Sequence, residues 1–454
     1  MPSTPRPEPR PESLRESITS LLDRGTLAHA RQALDALHPA ELGRLLESLP
    51  SAYRALVWPM VPPERRGDVL LHVNDEVRDT LMQDMETREV LRAAEGMDTD
   101  DLADFVQDLP ETLAGAVRES LDRQDRHRLE TVLSYPEDTA GGLMDTNLVT
   151  VRPDVTLDMV LGYLRLRGEL PDLTDNLIVV DRDDRYLGLL GLAELVVNDP
   201  GLTVEQVYQR RHEPIPADQP ARDVARRFED YDLVSAPVVD ADGRLLGRIT
   251  VDDVVDVIRE EADRSMLHMA GLGEDEDMFA PVLVSARRRA VWLGANLGTA
   301  FLAAWVIGRF EATLDQIVAL AVLMPVVASM GGIAGTQTLT VMIRGLALGQ
   351  VDRANSGFLL GKELGVGALN GLLWALVVGL VAYLWFGSQA IGLIIAAAMV
   401  INLLCAALTG VLVPVALRRL DIDPALAGGV VLTTVTDVVG FLAFLGLATA
   451  FLLD

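Results

Sequence analysis

Two hydrophobic patterns divide this chain. After residue 286 the apolar positions fill stretches long enough to cross a bilayer as helices, which takes about 20 residues. Five spans are predicted, at roughly 290–309, 317–343, 358–386, 389–417 and 425–452. The earlier part is periodic. LHPAELGRLLESLP (37–50) and MDTDDLADFVQDLP (97–110) match in register at a spacing of 60. Leu42, Leu45, Leu46 and Leu49 correspond to Leu102, Phe105, Val106 and Leu109, a helical stripe closed by Pro in both copies. Residues 13–134 therefore read as an all-helical domain of stacked repeats. The Pro-rich lead over 1–12 reads as disordered, without the apolar run of a signal peptide.

A second repeat has a spacing of 59 and a strand period. NLIVVDRDDRYLGLLGLAELV (176–196) matches SAPVVDADGRLLGRITVDDVV (235–255). Each copy predicts a strand, a tight turn, a strand and a helix start, so residues 135–258 form an α/β region. An acidic connecting helix and loop follow over 259–286, the loop carrying Glu274, Asp275, Glu276 and Asp277. Asp253 and Asp256 are three apart, Asp256 and Glu260 four apart, and like charges at those spacings destabilise an isolated helix. Two readings stay open: a solvated face, or a face neutralised by bound cations.

Charge sharpens the division. The net charge is −27. Eight acids and nine bases lie after residue 280, which leaves 58 acids against 30 bases before it, from totals of 66 and 39. So acidic a half disfavours nucleic acid and anionic lipid surfaces as partners and suits cations. The basic clusters Arg287–Arg289, Arg344 with Arg353 and Lys362, and Arg418 with Arg419 all fall on the side of the large N-terminal half. The positive-inside rule then places that half in the cytoplasm and, with five spans, the C-terminus outside. The single cysteine, Cys405, excludes an intramolecular disulfide.

Two features of the spans carry candidate chemistry. The second contains LMPVVASMGGIAGTQTLTVMIRG (323–345), where Pro325 removes a donor and Gly331, Gly332 and Gly335 weaken a helix. It reads either as a kinked helix with glycines for close packing or as irregular backbone lining a path. The fifth carries Asp437 in TTVTDVVGF, with no basic residue in the same stretch and Thr433 one turn earlier on the same face. A carboxylate in the hydrocarbon is costly and usually faces a bundle interior or water. Three roles are open to it: a structural carboxyl bonded to a Thr or a carbonyl, a proton relay, or a cation site. Asn296, Asn370 and Asn402 read as interhelical hydrogen bonds. All six histidines precede the first span and no HExxH occurs, so a membrane zinc enzyme lacks its ligands and the chain reads as a non-enzyme.

The α/β repeat resembles a tandem pair of CBS modules, with GRITVDD supplying Thr250 and Asp253 in the second copy and Gly191 and Glu194 standing in the first. Together with YPEDTAGGLM (135–144), PVVASMGGIAGTQ (325–337), KELGVGALNG (362–371) and DPALAGGVVLTTVTDVVG (423–440), the chain resembles the MgtE family of magnesium channels. The resemblance implies a multidomain protein: an all-α N-domain, an α/β tandem CBS domain, a connecting (plug) helix and a five-helix transmembrane domain over 287–454. It implies a homodimeric, multi-pass plasma-membrane channel for Mg²⁺ uptake, with Asp437 of each copy in one pore. Cytosolic Mg²⁺ held by Asp253 with Asp100, Asp256 with Asp232, Glu261 and Asp104 would close that pore. The CBS resemblance implies ATP or another adenine nucleotide at Thr250 and Asp253. The family's GGNxGxQ is GGIAGTQ here, with Ile333 at the Asn position. A proton- or other-ion-coupled carrier of Mn²⁺, Co²⁺ or Ca²⁺, with Asp437 as the carrying group, is the alternative reading.

Overall fold

The structure, a computed structural model, describes residues 20, 27–83, 85–95, 97–210, 213–272, 278–351, 355–420 and 422–453. The lead over 1–12 and the acidic loop Glu274–Asp277 lie outside the described residues. The chain divides into two units, residues 1–262 with 275–281, and residues 263–274 with 282–454.

In the first unit, the described residues from Leu27 to Val132 form nine α-helices and two short 3₁₀ turns. The 60-residue repeat appears as the helices Pro39–Glu47 and Thr99–Gln107. All eight repeat positions, Leu42 to Leu49 and Leu102 to Leu109, are buried in one core. Pro50 and Pro110 end these helices and cap the next ones, Ser51–Val57 and Glu111–Ser120. Arg54 is buried and donates to the Leu46 and Leu49 carbonyls at 3.0 and 3.2 Å, adding side-chain donors where the helix ends.

The 59-residue repeat folds into two matching three-stranded sheets. In one, β1 (Thr150–Val151) lies parallel to β2 (Asn176–Val180), which pairs antiparallel with β3 (Tyr186–Gly191). In the other, β4 (Ile215–Pro216), β5 (Ser235–Val239) and β6 (Leu245–Thr250) repeat the order. Both hairpins use an aspartate to fix the turn. Asp181 accepts from the amides of Asp183 and Arg185, and Asp240 from those of Asp242 and Arg244. From β6 the chain enters one unbroken helix, Val251–Met269.

The second unit holds five apolar helices long enough to cross a membrane: span 1, Val282–Gly308; span 2, Val318–Ala347; span 3, Ser356–Phe386; span 4, Gln389–Arg419; and span 5, Pro424–Leu452. Span 4 is the most buried and packs against spans 2, 3 and 5, while span 1 packs on span 5. Span 2 follows the helical one of its two readings and not the irregular one, since it is a continuous helix with Pro325 inside it. Unwinding in hydrocarbon would strand more backbone groups than the one bond proline removes. Its glycines serve close packing. A Cβ on Gly335 would stand 2.8 Å from Leu432, and one on Gly428 of span 5 would stand 3.1 Å from Leu339. Spans 2 and 5 thus interdigitate antiparallel, which brings Asp437 level with the turn 330–334.

Candidate functional site: an intramembrane carboxylate and a buried acidic cluster

Asp437 is half-buried on span 5, and no hydrogen bond or ion pair reaches it among the described residues. Its neighbouring threonines are already engaged. Thr433 donates to the Gly429 and Val430 carbonyls, and Thr436 to those of Leu432 and Thr433. The bond to a Thr or a carbonyl that a structural carboxyl would need is therefore not made. At the same height on span 2, Ile333 is 55% exposed, and Gln337, one turn on, is exposed as well. A face of this kind offers a carboxylate whose oxygens are free for a hydrated cation.

The three span asparagines differ. Asn402 makes the expected interhelical bond, donating through Nδ2 to the Val327 carbonyl at 2.8 Å. Asn296 instead donates to Trp292 within its own helix, and Asn370 is exposed. Spacing alone cannot distinguish these, because each sits in an apolar run. Sequence reasoning missed Glu363, which is 8% exposed in span 3, accepts from Thr338 of span 2 at 3.2 Å and lies 3.2 Å from Lys362 Nζ. The available signal was an acid inside an apolar span, hidden by the adjacent lysine.

In the first unit a second set of carboxylates gathers where the helix Thr99–Gln107 meets the start of the connecting helix. Asp100 is buried, and its Oδ1 has no partner among the described residues. Burial pushes its carboxyl well above the usual range, and the negative charges of Asp253, Asp101 and Asp145 push it further. Asp253 is raised as well, first by burial and then by Asp252, against the Thr250 amide and hydroxyl that donate to its Oδ2 at 3.1 and 3.0 Å. Burial with Asp98 and Asp252 lifts Asp101 to about 6. Asp104 rises to about 8 through burial and Glu137, with Arg78 opposing. The paired placement of Asp100 and Asp253 is thus a place of concentrated, desolvated negative charge, where a cation favours the ionised forms.

The other expected ligands are arranged differently. Asp232 and Asp256 are both exposed, and no hydrogen bond or ion pair engages either among the described residues; the Asp256 charge instead reaches Asp101 and His72. Glu261 lies 3.6 Å from Arg222 Nη1 in an ion pair. No cluster of three or more His, Cys, Asp or Glu side chains is near enough to close around a bare ion among the described residues. One or two carboxylates fit an ion that keeps most of its waters, as Mg²⁺ does. At the CBS pair, Thr250 and Asp253 are joined to each other at the N-terminus of the connecting helix, and Gly191 and Glu194 make the matching contact, amide to Oε2, at 2.9 Å. The cavity beside β2 and β6, lined by residues such as Thr150, Val180 and Leu246, holds about 150 Å³, below the roughly 300–1,000 Å³ common for ligand pockets.

The far end of the connecting helix makes a contact the sequence did not announce. His268 is buried, and its Nδ1 meets Asp423 Oδ2, while Asp423 Oδ1 accepts from the Ala425 amide at 2.8 Å and caps span 5. One helix therefore carries Asp253 in its first turn and, in its last, a residue bound to the cap of the span that bears Asp437.

Five spanning helices behind a helical domain and a CBS pair define a multi-pass membrane protein with a large N-terminal soluble half. Comparison with known proteins agrees. The family model described as MgtE, divalent cation transporter, matches residues 324–447, the MgtE intracellular N domain matches 37–138, and the CBS domain matches 140–199 and 204–260. The magnesium transporter MgtE of Thermus thermophilus is 33% identical over 446 residues, 96% of this chain and 98% of that protein. The magnesium transporter MgtE of Bacillus subtilis is 28% identical over 435 residues, 96% of each. Among solved structures, the cytosolic domain of the Mg²⁺ channel MgtE in complex with ATP is 32% identical and covers 54% of this chain and 99% of that one, with a TM-score of 0.48. The chain belongs to the MgtE family of divalent cation transporters.

Proposed function

We propose that this chain is a Mg²⁺-selective channel for magnesium uptake, closed from the cytoplasmic side by Mg²⁺ itself. The observation that carries the reading is Asp437, a carboxylate in span 5 that meets no hydrogen bond or ion pair among the described residues, level with the turn 330–334 of span 2. Its missing counter-charge is the passing hydrated cation, driven inward by the membrane potential at about 2.3 kcal/mol per charge per 100 mV. For the full-length chain in liposomes, Asp437→Asn is expected to lower Mg²⁺ influx to the level of empty vesicles. Retained influx would contradict the reading.

Closure runs through the connecting helix. At low Mg²⁺ burial and mutual repulsion oppose ionisation of Asp100 and Asp253, nothing bridges the two carboxyls, and the helix is loosely held. Bound Mg²⁺ neutralises both, holds the helix start, and through His268 and Asp423 holds the start of span 5. A ligand shifts such an equilibrium only by its differential affinity for the two states, and the orphaned Asp100 oxygen supports such a difference. An adenine nucleotide at Thr250 and Asp253 would have to break the hydrogen bonds between them, so the geometry favours the metal over the nucleotide at Asp253.

The active form is a homodimer, so that two copies of Asp437 share one path. Support comes from the helix Leu157–Arg167 and the helix Leu192–Val197, which leave Met159, Tyr163, Leu166, Val196 and Val197 exposed as an apolar surface. Native mass spectrometry of the detergent-purified chain should give twice the chain mass, and a monomer would count against it. The basic clusters support a cytoplasmic N-terminal half and an outside C-terminus.

A further inference from the structure

Asn402 lies in the most buried span and is 0% exposed, among Ala398, Met399, Leu403 and Ala406, all buried and apolar. Its Nδ2 donates to the Val327 carbonyl of span 2, while its Oδ1 meets no donor among the described residues. A buried amide oxygen left without a donor is a cost an apolar side chain would not carry. The surroundings explain what the amide does in return. A Cβ on Gly331 of span 2 would stand 2.3 Å from Asn402 Nδ2, and a Cβ on Gly440 of span 5 would stand 2.7 Å from the same atom. The flat amide therefore fills a slot walled by one bare glycine backbone on each helix, and its one hydrogen bond among the described residues goes to the Val327 carbonyl of span 2.

We propose that Asn402 is a positioning residue for ion discrimination. Its amide is the wedge that sets the separation and rotation of spans 2 and 5 where Asp437 stands. Gly440 is three residues beyond Asp437, and Gly331 lies in the turn of span 2 that comes level with it. A change in wedge thickness moves Asp437 and Ile333 together, and with them the gap through which a hydrated ion must fit. Magnesium holds its waters more tightly than calcium does, so that gap discriminates between them. The inference rests on Asp437 being the path carboxylate, and it adds a residue that touches no ion.

The test measures Mg²⁺ and Ca²⁺ influx separately for the full-length chain in liposomes. Asn402→Ala, which thins the wedge, should lower the Mg²⁺/Ca²⁺ flux ratio by about tenfold while total divalent flux persists. Gly440→Ala, which drives a methyl into the amide, should also shift the ratio. The double variant, trimmed on one side and filled on the other, should return to within about threefold of the parent ratio. If a variant fails to assemble, Asn402→Ser, with a smaller side chain that still carries a hydroxyl donor, reads the same ratio. Unchanged ratios overturn the proposal, as does a loss of both fluxes in equal proportion, which a purely structural asparagine would cause. Asp437→Asn in the same vesicles separates the two readings. Full flux there defeats the pore assignment, whereas lost flux with unmoved Asn402 ratios defeats only the wedge.

Discussion

At the scale of single residues, two carboxylates stand in a costly medium. Asp437 in span 5 and Asp100 in the N-domain each keep oxygens that no described side chain or backbone donor satisfies. A buried charge left unpaired is expensive, so such groups are retained where a mobile partner restores the balance. At Asp100 the nearby charge of Asp253 adds to that expense, and in the proposed function one ion serves both. Replacing both by asparagine keeps the shape and removes the charge that recruits the ion. Asp100→Asn with Asp253→Asn should leave Mg²⁺ influx intact while raising the cytosolic Mg²⁺ needed for half-inhibition by about tenfold or more. Flux measured in vesicles loaded with stepped internal Mg²⁺ checks this, and an unshifted half-inhibition point would refute it. The sequence made Asp437 visible because an acid among apolar residues stands out. Asp100 was named only through the family resemblance, because TDDLAD looks like any solvated helix face until burial is known. The slot around Asn402 was equally hidden, since its walls come from residues 331 and 440, far apart in the chain.

At the scale of elements, periodicity did most of the work. Both repeats were legible because a helix and a strand impose different spacings on the same apolar residues, and the observed helices and hairpins follow those spacings. Span 2 was harder to read. Proline and glycine weaken a helix locally, but the hydrocarbon's penalty on open backbone is larger and keeps the helix whole. The contact between His268 and Asp423 joins residues 155 positions apart, and local pattern carries no trace of it. The helix Thr99–Gln107 carries a consequence for pH. Asp104 titrates at about 8 and Asp101 at about 6 in the folded chain, above the ordinary 3.8. The folded state then binds more protons than the unfolded one, so stability falls as pH rises from 3.8 through those values. In chelator, the full-length chain in detergent should melt at a lower temperature at about pH 8.5 than at about pH 6. Added Mg²⁺ should raise the melting temperature more at the higher pH, where the carboxylates are ionised. Asp104→Asn should flatten the pH dependence; a wild-type melting temperature that ignores pH would contradict the assignment.

At the scale of the molecule, an acidic soluble half is joined to a nearly neutral membrane half by one helix, Val251–Met269. That division followed from hydropathy and charge alone, because burying a charge in lipid is penalised wherever the chain lies. What each end of that helix meets was not legible, since the neighbours of Asp253 and His268 are tertiary. The central claim is that the membrane half conducts Mg²⁺ passively and the soluble half shuts it when Mg²⁺ accumulates. The rival is a carrier that exchanges protons at Asp437 and moves Mn²⁺, Co²⁺ or Ca²⁺ as readily. Patch recording from membranes containing the full-length chain separates them directly, with Mg²⁺ and pH gradients set independently across the patch. The account predicts a reversal potential that follows the Mg²⁺ gradient and ignores the pH gradient, with current that falls as cytosolic-side Mg²⁺ is raised. A reversal potential that moves with pH, or a current indifferent to cytosolic Mg²⁺, would contradict it.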